Sequence, residues 1–270
     1  MLAALGSFLD ARHHGGRWQV RIEDLDTARV IPGSAAEILR TLETLNLFWD
    51  GEVTYQSARL PLYEAALARL RSSGGTFECS CSRQTLNAQG DRGYPGTCRQ
   101  GPHRAGPTST RFRLQGAWLQ FSDRLQGPRR QNLEQLGDVV IRRRDGVYAY
   151  QLAVVVDDAD QNITDVVRGV DLLDSTAWQI QLHRALGHTP PRYAHLPVVT
   201  APDGGKLAKS RSAVPPDLSD PGGLLLRTLE LLQQRPPAEL AGLEPGEVLR
   251  WAILNWKSAR LNGITAVAAL

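Results

Sequence analysis

The sequence predicts an α/β protein, and three observations support this fold class. Amphipathic stretches with helical spacing alternate with short strand-like segments, which is the pattern of helices packed against a sheet. Apolar residues make up 42% of the 270-residue chain, which is enough to build a sizeable core. An uninterrupted apolar run over 152–156 is typical of a strand buried inside such a sheet.

The first part of the chain predicts helices and strands in alternation. Apolar residues recur three and four positions apart over 2–12, 34–46 and 58–72, so we predict a helix in each. Apolar and polar residues alternate over 18–23, which predicts a strand, and 77–79 predicts another. This order of elements is the one expected of an α/β domain.

The second part predicts further strands and then helices. Strands are expected over 138–142, 147–157 and 162–168. A helix over 175–186 has Ser175 as its expected cap. The remaining expectations are a connecting segment over 190–202 and C-terminal helices over 222–234 and 245–258.

Composition excludes several classes of protein. No stretch is long and apolar enough for a membrane span, and the N-terminus lacks the pattern of a signal peptide. The odd count of three cysteines argues against a disulfide framework, so a cytoplasmic protein is expected. The net charge of +3 permits contact with nucleic acid, and Arg142–Arg144 form one basic cluster.

The three cysteines suggest a zinc site. Cys79 and Cys81 are separated by one residue, and Cys98 follows within a segment rich in glycine and proline. Structural zinc takes four ligands, and the fourth is Tyr94 or His103, of which histidine is chemically the commoner. The alternative is three ordinary buried thiols.

Two further segments carry groups suited to binding charge. Arg21 and Glu23 share one face of the predicted strand, and Asp24 and Asp26 lie toward or beyond its end, where acidic residues are often ligand contacts; the alternative is a strand that continues into an Asp-capped turn. Lys206 and Lys209 follow a Gly-rich turn and suit phosphate binding, although by itself the loop is more often an ordinary basic surface loop.

A third pair lies on the predicted sheet. Tyr150 opens the strand predicted over 147–157, and Arg168 ends the next. An arginine beside an apolar sheet needs an anionic partner, which is either a ligand or a carboxylate of the protein such as Asp171.

Taken together, these segments resemble the class I glutamyl-tRNA synthetases. The resemblance rests on the strings RIEDLD, YQS, YQLAVVVDD, VRGVDLLDST and KLAKS and on the cysteine spacing, in order over residues 2–210. It is closest to a short branch of the family that lacks the large anticodon-binding domain. The resemblance implies a Rossmann-like class I aminoacyl-tRNA synthetase catalytic domain with a zinc-bearing insertion and a short C-terminal helical part.

The resemblance also implies an activity. The short branch is a ligase that activates glutamate with ATP and Mg²⁺ without tRNA, and then transfers glutamate to the queuosine base in the anticodon loop of tRNA(Asp). A monomer with no membrane contact is expected. The alternatives are a fragment of a full-length glutamyl-tRNA synthetase, or a non-catalytic RNA- or zinc-binding remnant.

Residue roles follow from the same resemblance. Glu23 would hold the α-ammonium of glutamate, Tyr150 would line the pocket, and Arg168 would pair with the substrate's own carboxylate. Lys209, with Lys206, would stabilise the charge on the triphosphate. The family uses tyrosine as a zinc ligand, which makes the implied set Cys79, Cys81, Tyr94 and Cys98.

The resemblance divides the chain into four expected segments. These are the first half of the catalytic domain (1–78), the zinc-binding insertion (79–136), the second half with the lysine loop (137–215) and a helical segment (216–270). In the family a strand and a His-x-Gly-Ser/His signature precede the helix in which Met1 falls. We expect both to be missing from this chain, either because a longer protein begins upstream, which is the favoured explanation, or because the chain is shortened and inactive.

Overall fold

The computed structural model describes residues 1–87, 93–200 and 216–269. The helices within these ranges are α1 (Leu2–His13), α2 (Ser34–Thr44), α3 (Leu60–Ser72), α4 (Arg83–Asn87), α5 (Leu133–Leu136), α6 (Tyr150–Asp160), α7 (Ser175–Ala185), α8 (Pro221–Leu231) and α9 (Pro245–Asn255). The strands are β1 (Arg21–Ile22), β2 (Thr54–Tyr55), β3 (Thr76–Cys79), β4 (Ser109–Phe112), β5 (Trp118–Asp123), β6 (Gly127–Asn132), β7 (Val139–Arg142), β8 (Asp165–Gly169), β9 (Arg192–Leu196), β10 (Val198–Thr200) and β11 (Ala266–Ala268). None of the described helices has the length and apolar character needed to cross a bilayer.

The strands form small sheets of mixed direction. In the largest, with order β6-β5-β9-β8, β8 and β9 run parallel, β5 touches β9 in parallel at one residue pair, and β5 and β6 form an antiparallel hairpin. A second sheet, β3-β4-β7, is antiparallel. Two parallel pairs, β1-β2 and β10-β11, complete the described pairing. The mixture of parallel and antiparallel pairs with helices on the sheets confirms the α/β class.

One hydrophobic core joins α1 to the C-terminal helices. Leu5 and Leu9 of α1, Leu196 of β9 and Leu229 of α8 are completely buried in it. Gly6 of α1 lies so close to β9 that a Cβ atom there would meet Leu196 Cδ1 at 2.7 Å. The glycine therefore allows the helix to approach the strand.

A second core lies beneath α3, α6 and α7. Tyr63 and Leu67 of α3, Leu152 and Val155 of α6, and Leu182 of α7 are completely buried in it. A third and much smaller cluster surrounds the cysteines and is described with the metal centre.

The strand predicted over 147–157 is wrong, because residues Tyr150–Asp160 form the helix α6. Leu152 and Val155 are completely buried, so the apolar run lacks the polar positions that would reveal a helical period. The hydrophobic pattern of a short run that is buried on several sides is the same for a strand and for a helix. The three valines of this run favour a strand by intrinsic propensity. Tertiary burial decides for the helix, and Tyr150 begins it.

Other boundaries differ from expectation in smaller ways. The segment 190–202, expected as a connection, contains β9 and β10. The strand predicted over 18–23 is assigned only at Arg21–Ile22, where it pairs with β2. Ser175 does not cap α7: the N-cap is Asp174, and the Ser175 hydroxyl accepts a hydrogen bond from Gln151 Nε2 at 3.0 Å.

The predicted helices over 2–12, 34–46, 58–72, 222–234 and 245–258 are confirmed within a few residues at each end as α1, α2, α3, α8 and α9. The four predicted segments stay predictions. Within 79–136, β4 pairs with both β3 and β7, so this segment is joined to its neighbours through one sheet.

Candidate active site and metal centre

A cavity of about 990 Å³ opens between α1, β1, α6 and β8. Its walls carry ionisable and hydroxyl groups from three elements that are far apart in the sequence. Arg21 and Glu23 come from β1 and the residues after it, Tyr150 and Asp158 from α6, and Arg168 from β8. The structure therefore brings together the three residues that the sequence assigned to glutamate, namely Glu23, Tyr150 and Arg168.

Glu23 provides a carboxylate that opens into the cavity. The side chain is exposed there, and the surrounding protein still raises the pKa of its carboxyl by desolvation, while the positive charges of Arg21 and Arg168 act in the opposite direction. A carboxylate that few protein N–H or O–H groups contact can still accept hydrogen bonds from a cationic ligand.

Arg168 is held by neutral groups. Its Nε donates to His195 Nε2 at 3.1 Å, its Nη1 to the Tyr150 hydroxyl at 3.3 Å, and its Nη2 to Thr176 Oγ1 at 3.0 Å and to the carbonyl of Leu172 at 3.3 Å. Because these acceptors carry no formal charge, the positive charge of the guanidinium is available to an anion in the cavity.

Arg21 plays a different part from Glu23, although both were predicted on one face of a strand, which in the structure ends at Ile22. Its Nη2 contacts Asp158 Oδ1 at 2.7 Å and its Nη1 donates to Gln161 Oε1 at 2.6 Å, so it ties β1 to α6. Burial raises the pKa of Asp158, and Arg21 opposes that shift. Asp158 has no role predicted from the sequence, although it ends the string YQLAVVVDD.

Lys206 and Lys209, the predicted phosphate-binding residues, lie outside the residues that the structure describes. The basic cluster Arg142–Arg144 is described and has partners within the protein. Arg143 pairs with Asp26 at 2.6 Å and with Asp145 at 2.5 Å, and Arg144 donates to the carbonyl of Cys81 at 2.6 Å. These contacts give the cluster a structural role beside any contact with phosphate.

The three cysteines converge in a small buried cluster. The sulfurs of Cys79, Cys81 and Cys98 lie within 4.8 Å of one another, and those of Cys81 and Cys98 are 3.6 Å apart. Tetrahedral zinc with Zn–S bonds near 2.3 Å separates its sulfurs by about 3.8 Å, so the cluster fits a metal ion of this kind.

Both candidates for a fourth ligand lie beside the sulfurs. The Tyr94 hydroxyl is 3.5 Å from Cys79 Sγ and 4.0 Å from Cys81 Sγ, and it accepts a hydrogen bond from the Cys98 backbone at 2.7 Å. His103 Nδ1 is 3.1 Å from Cys98 Sγ and 4.0 Å from Cys81 Sγ. The hydroxyl of Tyr94 is the more central of the two groups.

The thiols differ in acidity. Burial opposes ionisation of Cys98, but hydrogen bonds from Tyr94 and His103 outweigh it and lower the pKa of this thiol to about 5. For Cys81, burial raises the pKa to about 11, and the neighbouring sulfurs add to the effect. A metal ion would reverse the second shift, because thiolates are its ligands.

Comparison with known proteins gives consistent results. Residues 2–220 match the family model described as tRNA synthetases class I (E and Q), catalytic domain. The chain is 51% identical over 263 residues to a protein of Ectopseudomonas mendocina named glutamyl-Q tRNA(Asp) synthetase, with 97% of this chain and 89% of that protein covered. A protein of Geobacter sulfurreducens with the same name is 48% identical over 276 residues, with 97% and 88% covered.

Among solved structures, the fold is similar to that of a glutamate tRNA ligase from Elizabethkingia meningosepticum crystallised with its amino acid. The TM-score is 0.80 at 23% identity, and the match covers 100% of this chain. It covers 63% of the other chain, so this protein spans less than two thirds of that ligase. At this identity the likeness concerns the fold alone.

Proposed function

This chain belongs to the class I tRNA synthetases of the E and Q type, and on that premise we propose that it activates glutamate with ATP and transfers it to the queuosine base of tRNA(Asp). Two relatives with 48–51% identity carry the name glutamyl-Q tRNA(Asp) synthetase. The observation that carries the proposal is the cavity that places the Glu23 carboxylate with the Arg168 guanidinium. Opposite charges that line one cavity are complementary to an amino acid zwitterion with an acidic side chain.

The proposed roles of the pocket residues follow from their charges. Glu23 holds the α-ammonium of glutamate, and Arg168 pairs with a carboxylate of the substrate. Tyr150 lines the pocket and donates or accepts through its hydroxyl, which already contacts Arg168 at 3.3 Å. The substrate carboxylate that remains free then attacks the α-phosphorus of ATP, pyrophosphate leaves, and glutamyl-adenylate forms.

Lys206 and Lys209 are proposed, from the sequence, to stabilise the negative charge on the triphosphate during this attack. Mg²⁺ would arrive with the nucleotide, because phosphate oxygens and water are its preferred ligands. In the second step the queuosine base displaces AMP from the adenylate. With tRNA and ATP as substrates, the cytoplasm is the proposed location and a monomer the proposed state.

For the cysteine cluster we propose structural zinc held by Cys79, Cys81, Cys98 and Tyr94. Little apolar surface surrounds these four residues, since among the described residues Phe77 is the only other buried hydrophobic one in the cluster and Leu86 is half-buried against it. A bound metal would supply folding free energy that such a small core lacks.

The zinc proposal is tested by metal content. We expect about one zinc per chain in the purified protein, and its loss in Cys98→Ser. Tyr94→Phe should release zinc to a chelator more readily than His103→Ala, because the Tyr94 hydroxyl is central to the sulfurs. Zinc far below one equivalent would contradict the ligand set, and the reverse order of the two variants would assign the fourth position to His103.

The activity is tested in two steps. The first is glutamate-dependent exchange of pyrophosphate into ATP without tRNA, with glutamine and aspartate as controls. The second is transfer of labelled glutamate to tRNA(Asp) with and without queuosine, using tRNA that lacks its 3′-terminal adenosine. We expect exchange with glutamate and transfer only to the queuosine-containing tRNA.

Other outcomes point to the alternatives. Charging of tRNA(Glu) at an intact 3′ end would favour a glutamyl-tRNA synthetase activity. Binding of tRNA without any glutamyl-adenylate would favour a non-catalytic RNA-binding protein.

A further inference from the structure

A buried aspartate–histidine pair lies directly behind Arg168. Asp123 ends β5 and His195 lies in β9, and both side chains are completely buried. His195 Nδ1 is 2.5 Å from Asp123 Oδ2. The other carboxylate oxygen accepts the backbone N–H groups of Leu125 at 3.0 Å and Gln126 at 2.8 Å, so Asp123 is fixed by its own loop.

The contacts of His195 define its protonation. Arginine has donors and no acceptor, so the Arg168 Nε–H that lies 3.1 Å from His195 Nε2 requires a lone pair on that nitrogen. The imidazole is therefore neutral, with its single proton on Nδ1, where Asp123 accepts it. Thr176 Oγ1, at 3.3 Å from Nε2, adds a second donor to the same lone pair.

Tyr193 completes the support of the guanidinium. Its ring stacks on the His195 imidazole with centroids 6.2 Å apart and an interplanar angle of 11°. The Arg168 guanidinium carbon lies 5.4 Å above the centre of the same ring. Arg168 is thus held at its Nε from behind and by an aromatic face from one side, and its Nη groups donate to Tyr150, which lines the cavity, and to the buried Thr176.

We propose that His195, oriented by Asp123, is a positioning residue that fixes Arg168 for recognition of the substrate carboxylate. The inference rests on the proposed function, in which Arg168 pairs with that carboxylate. His195 itself is completely buried and acts only through Arg168. An arginine side chain has several rotatable bonds, and holding it at Nε before the substrate arrives removes an ordering cost from binding.

Two substitutions separate positioning from mere packing. His195→Gln places an amide oxygen near the position of Nε2 and can still accept from Arg168. His195→Asn places an amide nitrogen near the position of Nδ1, so it keeps the donor to Asp123 and loses the acceptor for Arg168. If the histidine served only as a hydrogen-bond donor to Asp123, the asparagine variant would have a KM for glutamate nearer to that of the parent protein than the glutamine variant.

We expect His195→Asn to raise the KM for glutamate in pyrophosphate exchange by about tenfold, with a much smaller change in the KM for ATP. His195→Gln should stay within about threefold of the parent protein. His183→Asn is the matched control. Like His195, His183 is buried, but it lies on α7 and its ring makes no hydrogen bond within the described residues. An unchanged KM for glutamate in His195→Asn, or a larger defect in His195→Gln, would overturn the proposal.

A second measurement uses the free protein and needs no activity. Histidine ¹⁵N spectra of the full chain should show His195 with an unprotonated Nε2, and the Arg168 Nε–H signal should be protected from exchange. That protection should be lost in His195→Asn and kept in His195→Gln. A protonated Nε2 would overturn the inference. Absence of glutamate-dependent exchange in the parent protein would instead contradict the proposed function, while these signals would still decide the placement of Arg168.

Discussion

Glu23 and Arg168 are the residues on which amino acid recognition depends in the proposed mechanism. Both line the same cavity, and the positive charge of Arg168 is near enough to oppose the rise in the pKa of Glu23. Arg168 is fixed by four contacts, whereas Glu23 is exposed to the ligand space. The two residues therefore differ in how they respond to substitution and to pH.

Glu23→Gln should raise the KM for glutamate by about 10- to 100-fold, because it replaces a charge-assisted contact with the α-ammonium by a neutral one. The measurement is pyrophosphate exchange as a function of glutamate concentration. Glu43→Gln, at an exposed position on α2, is the control and should leave the KM unchanged. Equal effects of the two substitutions would contradict the role of Glu23.

The pH dependence of glutamate binding should reflect the raised pKa of Glu23. Desolvation by the surrounding protein raises the pKa of this carboxyl above that of an ordinary glutamate, and the protonated form cannot pair with an ammonium. We therefore expect the KM for glutamate to rise as the pH falls, beginning above the usual value of 4.5. Glu23→Gln should remove this branch of the profile, and persistence of the branch would assign it to another group.

The raised pKa of Glu23 affects the free energy of unfolding in the opposite direction, since it favours the folded state at low pH. A carboxyl whose pKa is higher in the folded state stabilises the fold fully below its unfolded pKa. This contribution is lost as the pH rises through the folded pKa. The raised pKa of Asp158 acts in the same direction. At neutral pH the ionised carboxylates of Glu23 and Asp158 are therefore available to a ligand, and their desolvation lowers the free energy of unfolding.

At the scale of elements, α6 is the structure that shapes the site. Tyr150, Val154 and Asp158 all line the cavity, and their spacing of four residues is that of one helix face. The opposite side of the helix buries Leu152 and Val155 in the second core. One face of α6 therefore lines the cavity, and buried residues of the same helix hold it in the second core.

Asp157 anchors α6 to the segment that precedes α3. Its completely buried carboxylate accepts from Gln56 Nε2 at 2.8 Å, Arg59 Nε at 2.7 Å and the Tyr63 hydroxyl at 2.9 Å. We expect Asp157→Asn to lower the free energy of unfolding by about 2 kcal/mol, since a neutral amide replaces the completely buried carboxylate that accepts these three hydrogen bonds, while Arg59 keeps Asp160 as an ion-pair partner. Urea unfolding measures this. Asp160→Asn, which removes the half-exposed partner of Arg59, should cost no more than about 1 kcal/mol.

At the scale of the whole molecule, two cores support the walls of one cavity. The first core joins α1 to β9 and the C-terminal helices, and the second joins α3, α6 and α7. Of the residues that line the cavity, Val167 of β8 packs against the first core and Val154 of α6 belongs to the second. Both cores therefore support the lining of the cavity.

Salt should separate the two proposed reaction steps. The chain carries a net charge of +3, and contact with tRNA phosphates releases counterions, whereas glutamate binding involves few charges. Raising the salt concentration from about 50 to about 200 mM should lower kcat/KM for tRNA by about tenfold or more. Pyrophosphate exchange without tRNA should change little over the same range. A similar loss in both assays would indicate a general effect on the protein rather than weaker binding of phosphate.

The α/β class and most of the helices could be predicted from the amino-acid sequence, and the same sequence proposed three residues for one pocket. Helical spacing of apolar residues and the spacing of the cysteines are patterns within short segments, and such patterns can be recognised without knowledge of the fold. Glu23, Tyr150 and Arg168 were therefore assigned from strings of neighbouring residues, and the structure brings all three to one cavity.

The helical conformation of α6 and the contacts that hold Arg168 could not be predicted from the sequence. A run of buried apolar residues has no visible period, so strand and helix were equivalent until packing was known. Asp123 and His195 are 72 residues apart and carry no local signal, yet strand pairing at Asp123 and Tyr193 brings them to 2.5 Å. Contacts of this kind arise because distant segments share one sheet, and that property belongs to the fold rather than to any segment of the sequence.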